Sequence, residues 1–163
     1  MNIFGKPLSA YFAFQKPILI LILIVGGARL GLTLSGVSDA IVTWLSITAV
    51  AVVGIIYVGV KVARSGFGSY KHLLPICVLQ SLTAQVIIVP AIILAIFTGH
   101  DNIYSAPEFS FGSDGKTWGH VAAHLFIGTT VGSVMGWLAG CLIMFAAKKL
   151  VTKRKDAQAA MLA

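Results

Sequence analysis

Four stretches of this chain are long, apolar and almost uncharged: residues 16–35, 40–62, 73–98 and 120–147. Each reaches the roughly 20 residues that an α-helix needs to cross a hydrocarbon layer. Only the first carries a charge in its interior, at Arg29. The runs are continuous, whereas a membrane β-barrel is built from alternating strips of about ten residues. The pattern therefore predicts an all-α, four-helix integral membrane bundle in a single domain.

Composition supports the same solvent. Charged residues make up 10% of the chain and hydrophobic ones 58%, whereas soluble domains carry about 25% charged residues. A water-facing surface cannot be made from this mixture, so the expected partner of most of the chain is the lipid bilayer. Two cysteines, Cys77 and Cys141, supply no disulfide framework and read as small buried hydrophobes.

The charges are sorted as well as scarce. Lys6, Lys16, Lys61, Arg64, Lys71, Lys148, Lys149, Lys153, Arg154 and Lys155 all fall on one side of a four-pass chain. The other side has Arg29 and Lys116 with four of the five acids, Asp39, Asp101, Glu108 and Asp114. Basic residues collect on the cytoplasmic side of membrane proteins. Both termini are therefore expected to be cytoplasmic, in the inner membrane of a bacterium. The net charge of +7 reads as a topology signal, and no nucleic-acid partner is expected. Small residues before Ala28 resemble a cleavage pattern, but the first span is read as a permanent helix.

Around the spans, residues 1–15 read as an interfacial segment, because Phe4, Tyr11, Phe12 and Phe14 suit the headgroup level. Asp39 is the expected N-cap of the second span, and His72 an interfacial histidine. The connection 99–118 is longer than a link between two helices needs, and loops of this length are often functional. It is expected to be an ordered outer loop, packed down by Tyr104, Phe109, Phe111 and Trp118. Residues 148–163 form a basic cytoplasmic tail.

The fourth span holds the most regular pattern. Every fourth residue from His120 reads His120, His124, Gly128, Gly132, Gly136, Gly140. Small residues four apart let membrane helices approach closely. The glycines resemble the glycine zipper of some oligomeric channel proteins, and that resemblance implies close helix association and no chemistry. A step of four advances about 400°, so the stripe drifts about 40° per step. The stripe can face another helix of this chain or another subunit. His120 and His124 share a face one turn apart, at the membrane level of His100 and Asp101. Imidazoles and carboxylates at one depth can hold a transition metal, and histidines on opposing helices can hold a haem.

A third set is polar. Gln80, Thr83 and Gln85 lie in the third span, and Arg29 in the first. Together they define a possible polar pathway, with Pro90 supplying a bend. No carboxylate lies mid-span, and no nucleophile with a neighbouring base can be assembled from spacing. The leading expectation is a small non-catalytic membrane subunit or assembly partner, docking through the glycine face onto other subunits or copies of itself. The alternatives are a homo-oligomeric channel or small-solute transporter, and a metal- or haem-binding membrane protein.

Overall fold

The computed structural model describes residues 1–107, 110 and 113–162, with side chains for all of these except 154–160 and 162. Glu108, Phe109, Phe111 and Gly112, and the side chains of Arg154 and Lys155, lie outside the described residues. The chain is mostly helical, and four of its helical stretches are long and apolar enough to cross a membrane.

The chain begins with a hairpin. Strands β1 (Asn2–Ile3) and β2 (Lys6–Pro7) pair antiparallel, Ile3 opposite Lys6. The turn between them has positive φ at both Phe4 (50°) and Gly5 (82°), the hand that matches strand twist. Pro7 then sits at the N-cap of α1 (Leu8–Leu34), where its missing N–H costs nothing. The Tyr11 hydroxyl donates back to the Ile3 carbonyl at 2.8 Å. The expected interfacial segment 1–15 is thus corrected: its second half is the first two turns of α1. Lys16, the edge of the apolar run, lies inside α1, because a charge on a helix surface does not end the helix.

The second crossing comes in two pieces. A single turn, α2 (Asp39–Val42), has Ser38 as its N-cap, so Asp39 is not the cap. The chain then breaks, and Ser46 restarts it by accepting the Ala49 N–H at 3.2 Å. From there α3 runs Ile47–Ser65 and stops at Gly66, whose φ is 66°. The third crossing, α4 (Tyr70–Thr98), runs unbroken through Pro75 and Pro90 and ends at Gly99. The fourth comprises α5 (Trp118–Ala122), a π-helical turn (Ala123–Gly128) and α6 (Thr129–Leu162). The expected tail therefore continues α6 as helix.

Helices α1 and α6 each pack on both α3 and α4, which touch each other. One apolar cluster gathers Ile18, Ile22, Ile47, Ile92, Ile103 and Val121 towards the long loop. A second gathers Tyr11, Val58, Val62, Leu73, Ile76 and Met144 towards the hairpin. Outside these clusters the helices keep an apolar exterior. Ile24, Val86 and Leu142 are 60%, 64% and 72% exposed. Such a surface suits lipid.

Candidate functional site

The bundle has two chemically different ends. At the basic end, His72 is buried and not merely interfacial. Its Nδ1 accepts the Ser69 N–H at 3.0 Å, capping α4. That assigns the ring proton to Nε2, which lies 3.2 Å from the Phe4 carbonyl and donates to it. The hairpin is thereby tied to the start of α4. Lys61 Nζ donates to the Phe14 carbonyl at 2.6 Å, fastening α3 to α1.

At the loop end, the connection 99–117 folds onto the helices. Asn102 Nδ2 donates to the Ala91 carbonyl at 2.8 Å, and the Tyr104 hydroxyl to the Gly26 carbonyl at 3.0 Å. Burial pushes the Tyr104 phenol up to about 12, although nearby Arg29 pulls the other way. The Arg29 guanidinium lies 5.4 Å from the Tyr104 ring centre. Lys116 Nζ bridges Asp101 at 2.8 Å and Asp114 at 3.2 Å. The Lys116 amide donates to Asp114 at 2.9 Å. That amide first, and then the ammonium, hold the Asp114 carboxyl below its ordinary value. Lys116 is raised in turn, first by its bond to Asp101.

Beside this loop lies a pocket of about 540 Å³, lined by Ser110, Ser113, Asp114, Thr117, His120, His124 and Gly128 among others. The His120 and His124 rings stand 4.8 Å apart, centre to centre. His120 Nδ1 is 2.9 Å from the Gly115 carbonyl. Ser110 Oγ donates to the Ala106 carbonyl at 3.2 Å and Ser113 Oγ to the Ser110 carbonyl at 2.6 Å. Both serine hydroxyls thus donate to backbone carbonyls.

The four residues expected at a metal centre do not converge. Among the described residues, no three His, Cys, Asp or Glu side chains form a group that can hold an ion. His100 is exposed beyond α4, and Asp101 is held by Lys116. Nor does this pair suit a haem held by two histidines. In bis-histidine ligation the two imidazoles face each other across the iron, and His120 and His124 stand side by side on one helix.

The polar pathway also separates into parts. Gln80 turns to α1, where its Nε2 donates to Gln15 Oε1 at 3.0 Å. Thr83 bonds the Leu79 carbonyl of its own helix at 2.7 Å and borders a groove lined by Phe12 and Leu23 of α1. Gln85 reaches towards Gly128 at the end of the π-helical turn, and Arg29 stays with Tyr104. Gln80 and Thr83, three residues apart, both lie towards α1, whereas Gln85 leaves the helix on another side, towards Gly128.

The glycine stripe faces inward. A Cβ on Gly128 would lie 3.2 Å from Gln85, on Gly132 3.1 Å from Ser81, and on Gly136 3.2 Å from Ile55. On Gly140 it would lie 3.6 Å from Leu73. All four sit against α3 or α4 of the same chain, so this face is not a free docking surface. Helices α6 and α3 also approach closely: a Cβ on Gly59 would lie 3.1 Å from the Gly140 carbonyl oxygen.

The sequence reading missed Gln15, which is fully buried. The four-residue spacing of Tyr11 and Gln15 could have signalled a helix face there. It also missed the π-helical turn, for which the residues Ala-His-Leu-Phe-Ile-Gly carry no signal. Comparison with known proteins finds no matching family, no matching curated protein and no matching solved structure.

Proposed function

We propose that this chain is a small non-catalytic integral membrane subunit that serves as a rigid assembly partner within a larger membrane complex. The observation that carries the reading is the use made of the polar groups inside the bundle. Gln15 and Gln80 join α1 to α4, Lys61 joins α3 to α1, and Tyr104 joins the loop to α1. These groups fix helices against one another, as polar residues in membrane interiors commonly do. They do not line one common path.

The docking surface in this reading is the free face of α6, since the glycine face is occupied by α3 and α4. Val131, Met135, Leu138 and Leu142 are about half exposed or more. Their spacing of four, three and four residues follows the seam of two helices packed side by side. The basic end is placed in the cytoplasm, following the positive charge, and the long loop outside. Bacterial inner membrane remains the proposed location.

The test is native mass spectrometry of the particle extracted gently from its own membrane. Other subunits in a fixed ratio are expected, and Leu138→Ala with Leu142→Ala should loosen them. A particle holding one copy of this chain alone, or several copies and nothing else, overturns the reading.

A further inference from the structure

We propose that His120 and His124 bind one divalent transition-metal ion of the zinc class, in the pocket beside the long loop. The inference goes beyond the assembly role and stands independently of it. His-x₃-His on a helix puts two imidazoles on one side, and here the rings are 4.8 Å apart at a tilt of 48°. Both line the same pocket of about 540 Å³.

The second contact of each ring supports this use. A carbonyl oxygen only accepts, so the 2.9 Å contact between His120 Nδ1 and the Gly115 carbonyl places the proton of the neutral ring on Nδ1. The Nε2 lone pair is then free. Metal-binding imidazoles are commonly oriented by such a bond from the nitrogen that does not ligate.

His124 has a matching partner close by. Its Nδ1 is buried without a hydrogen-bond partner among the described residues, and so is Gln85 Oε1. Two such groups in one place call for an explanation. Both side chains come to the same spot: a Cβ on Gly128 would lie 3.2 Å from Gln85 Nε2 and 3.6 Å from His124 Nδ1. Turning the Gln85 amide end for end leaves its shape unchanged and brings its oxygen to the Gly128 side. Approach of the two groups across Gly128 then lets His124 Nδ1–H donate to Gln85, which frees His124 Nε2 as well. Gly128 thus leaves room for this second contact. The π-helical turn starts at Ala123, beside His124, and such turns recur at functional sites.

The lining also argues for a cation. Two imidazole lone pairs, the Asp114 carboxylate and the hydroxyl oxygens of Ser110 and Ser113 are all acceptors. The Lys116 ammonium is held between Asp101 and Asp114. Imidazole nitrogen favours zinc-class ions over magnesium or calcium. With two protein ligands, two waters would complete a tetrahedral shell.

The test uses the full chain in detergent, with any affinity tag removed and stripped by chelator, titrated calorimetrically with Zn²⁺. One ion per chain is expected. H120Q, H124Q and Q85L should each weaken binding about tenfold or more, while H100Q leaves it unchanged. Cu²⁺ in the same site should show electron-spin coupling to two imidazole nitrogens. Unchanged affinity in an H120Q chain that melts like the parent overturns the proposal, and so does coupling to fewer than two nitrogens. If H124Q fails to fold, H120Q and the Cu²⁺ spectrum decide.

Discussion

Gln80 Nε2 donates to Gln15 Oε1 at 3.0 Å, and Gln15 Nε2 donates to the Ile76 carbonyl at 3.2 Å. Two buried amides therefore join α1 to α4 through one short relay. Removing one of them leaves the other without its partner in a place that water does not reach. Gln15→Leu is expected to destabilise the fold by about 1–3 kcal/mol. The double variant with Gln80→Leu should cost less than the sum of the two singles, because it leaves no orphan. Reversible unfolding in mixed micelles measures both. Additive costs would mean that the two amides act separately.

The glycines divide into packed and open positions, and leucine scanning should separate them. Gly59→Leu meets Ile143 and the Gly140 carbonyl, and about 1–3 kcal/mol of destabilisation is expected from such overpacking. Gly132→Leu meets Ser81 and should likewise weaken the chain's own fold, not its association with partners. Gly27→Leu meets nothing within 4 Å and should change stability by less than about 0.5 kcal/mol. A Gly27 variant as damaging as the Gly59 variant would contradict this packing.

His72 holds both the first turn of α4 and the hairpin. His72→Ala removes the acceptor for the Ser69 N–H, a capping loss of about 1 kcal/mol. It also releases the Phe4 carbonyl. Hydrogen exchange at residues 2–6 and at Ser69 should accelerate by about tenfold, while the loop end stays unchanged. Equal protection in the variant would show that the hairpin is held by its other contacts.

The bridge of Asp101, Lys116 and Asp114 should make local order at the loop end depend on pH at both extremes. Asp114 is lowered in the fold, so its contribution is present above its ordinary value of 3.8 and fades as pH falls through the lowered one. Lys116 is raised, so its contribution is complete below 10.5 and fades as pH rises through the raised value. Exchange at residues 113–117, corrected for its intrinsic pH dependence, should be flat between these limits. The groups are exposed, so high salt should weaken the effect. Lys116→Gln should abolish the alkaline limb and only reduce the acidic one, because the backbone amide that holds Asp114 first remains.

Much of the architecture was legible because the hydrophobic runs are so long. Each of the four spans overlaps the helices found, and the boundaries that moved did so for identifiable reasons. Leu8 begins α1 because Pro7 and the hairpin set its start, and neither leaves an apolar trace. Ser46 restarts the second crossing through a local cap that the surrounding run of apolar residues conceals. The site was less legible. Spacing put His120 and His124 on one face, but it could not say that His100 would fall elsewhere or that Gln85 would come to Gly128. Those outcomes depend on how α4 and α6 are rotated against each other. The glycine stripe likewise marks a face suited to close contact without naming the neighbour, which is α3 and α4 of the same chain.

The relay from Gln15 to Ile76 also has a bearing on how the protein is born. The two residues are 61 positions apart, and ribosomes add about 5–20 residues per second, so roughly 3–12 s separate their synthesis. In a chain inserted as it is made, the first helix enters the bilayer with its amide unmatched and waits for the third. During that interval it must stay beside the insertion machinery or near the membrane surface. The nascent chain thus passes through a stage that depends on protection from outside, and a slow or stalled ribosome would lengthen it.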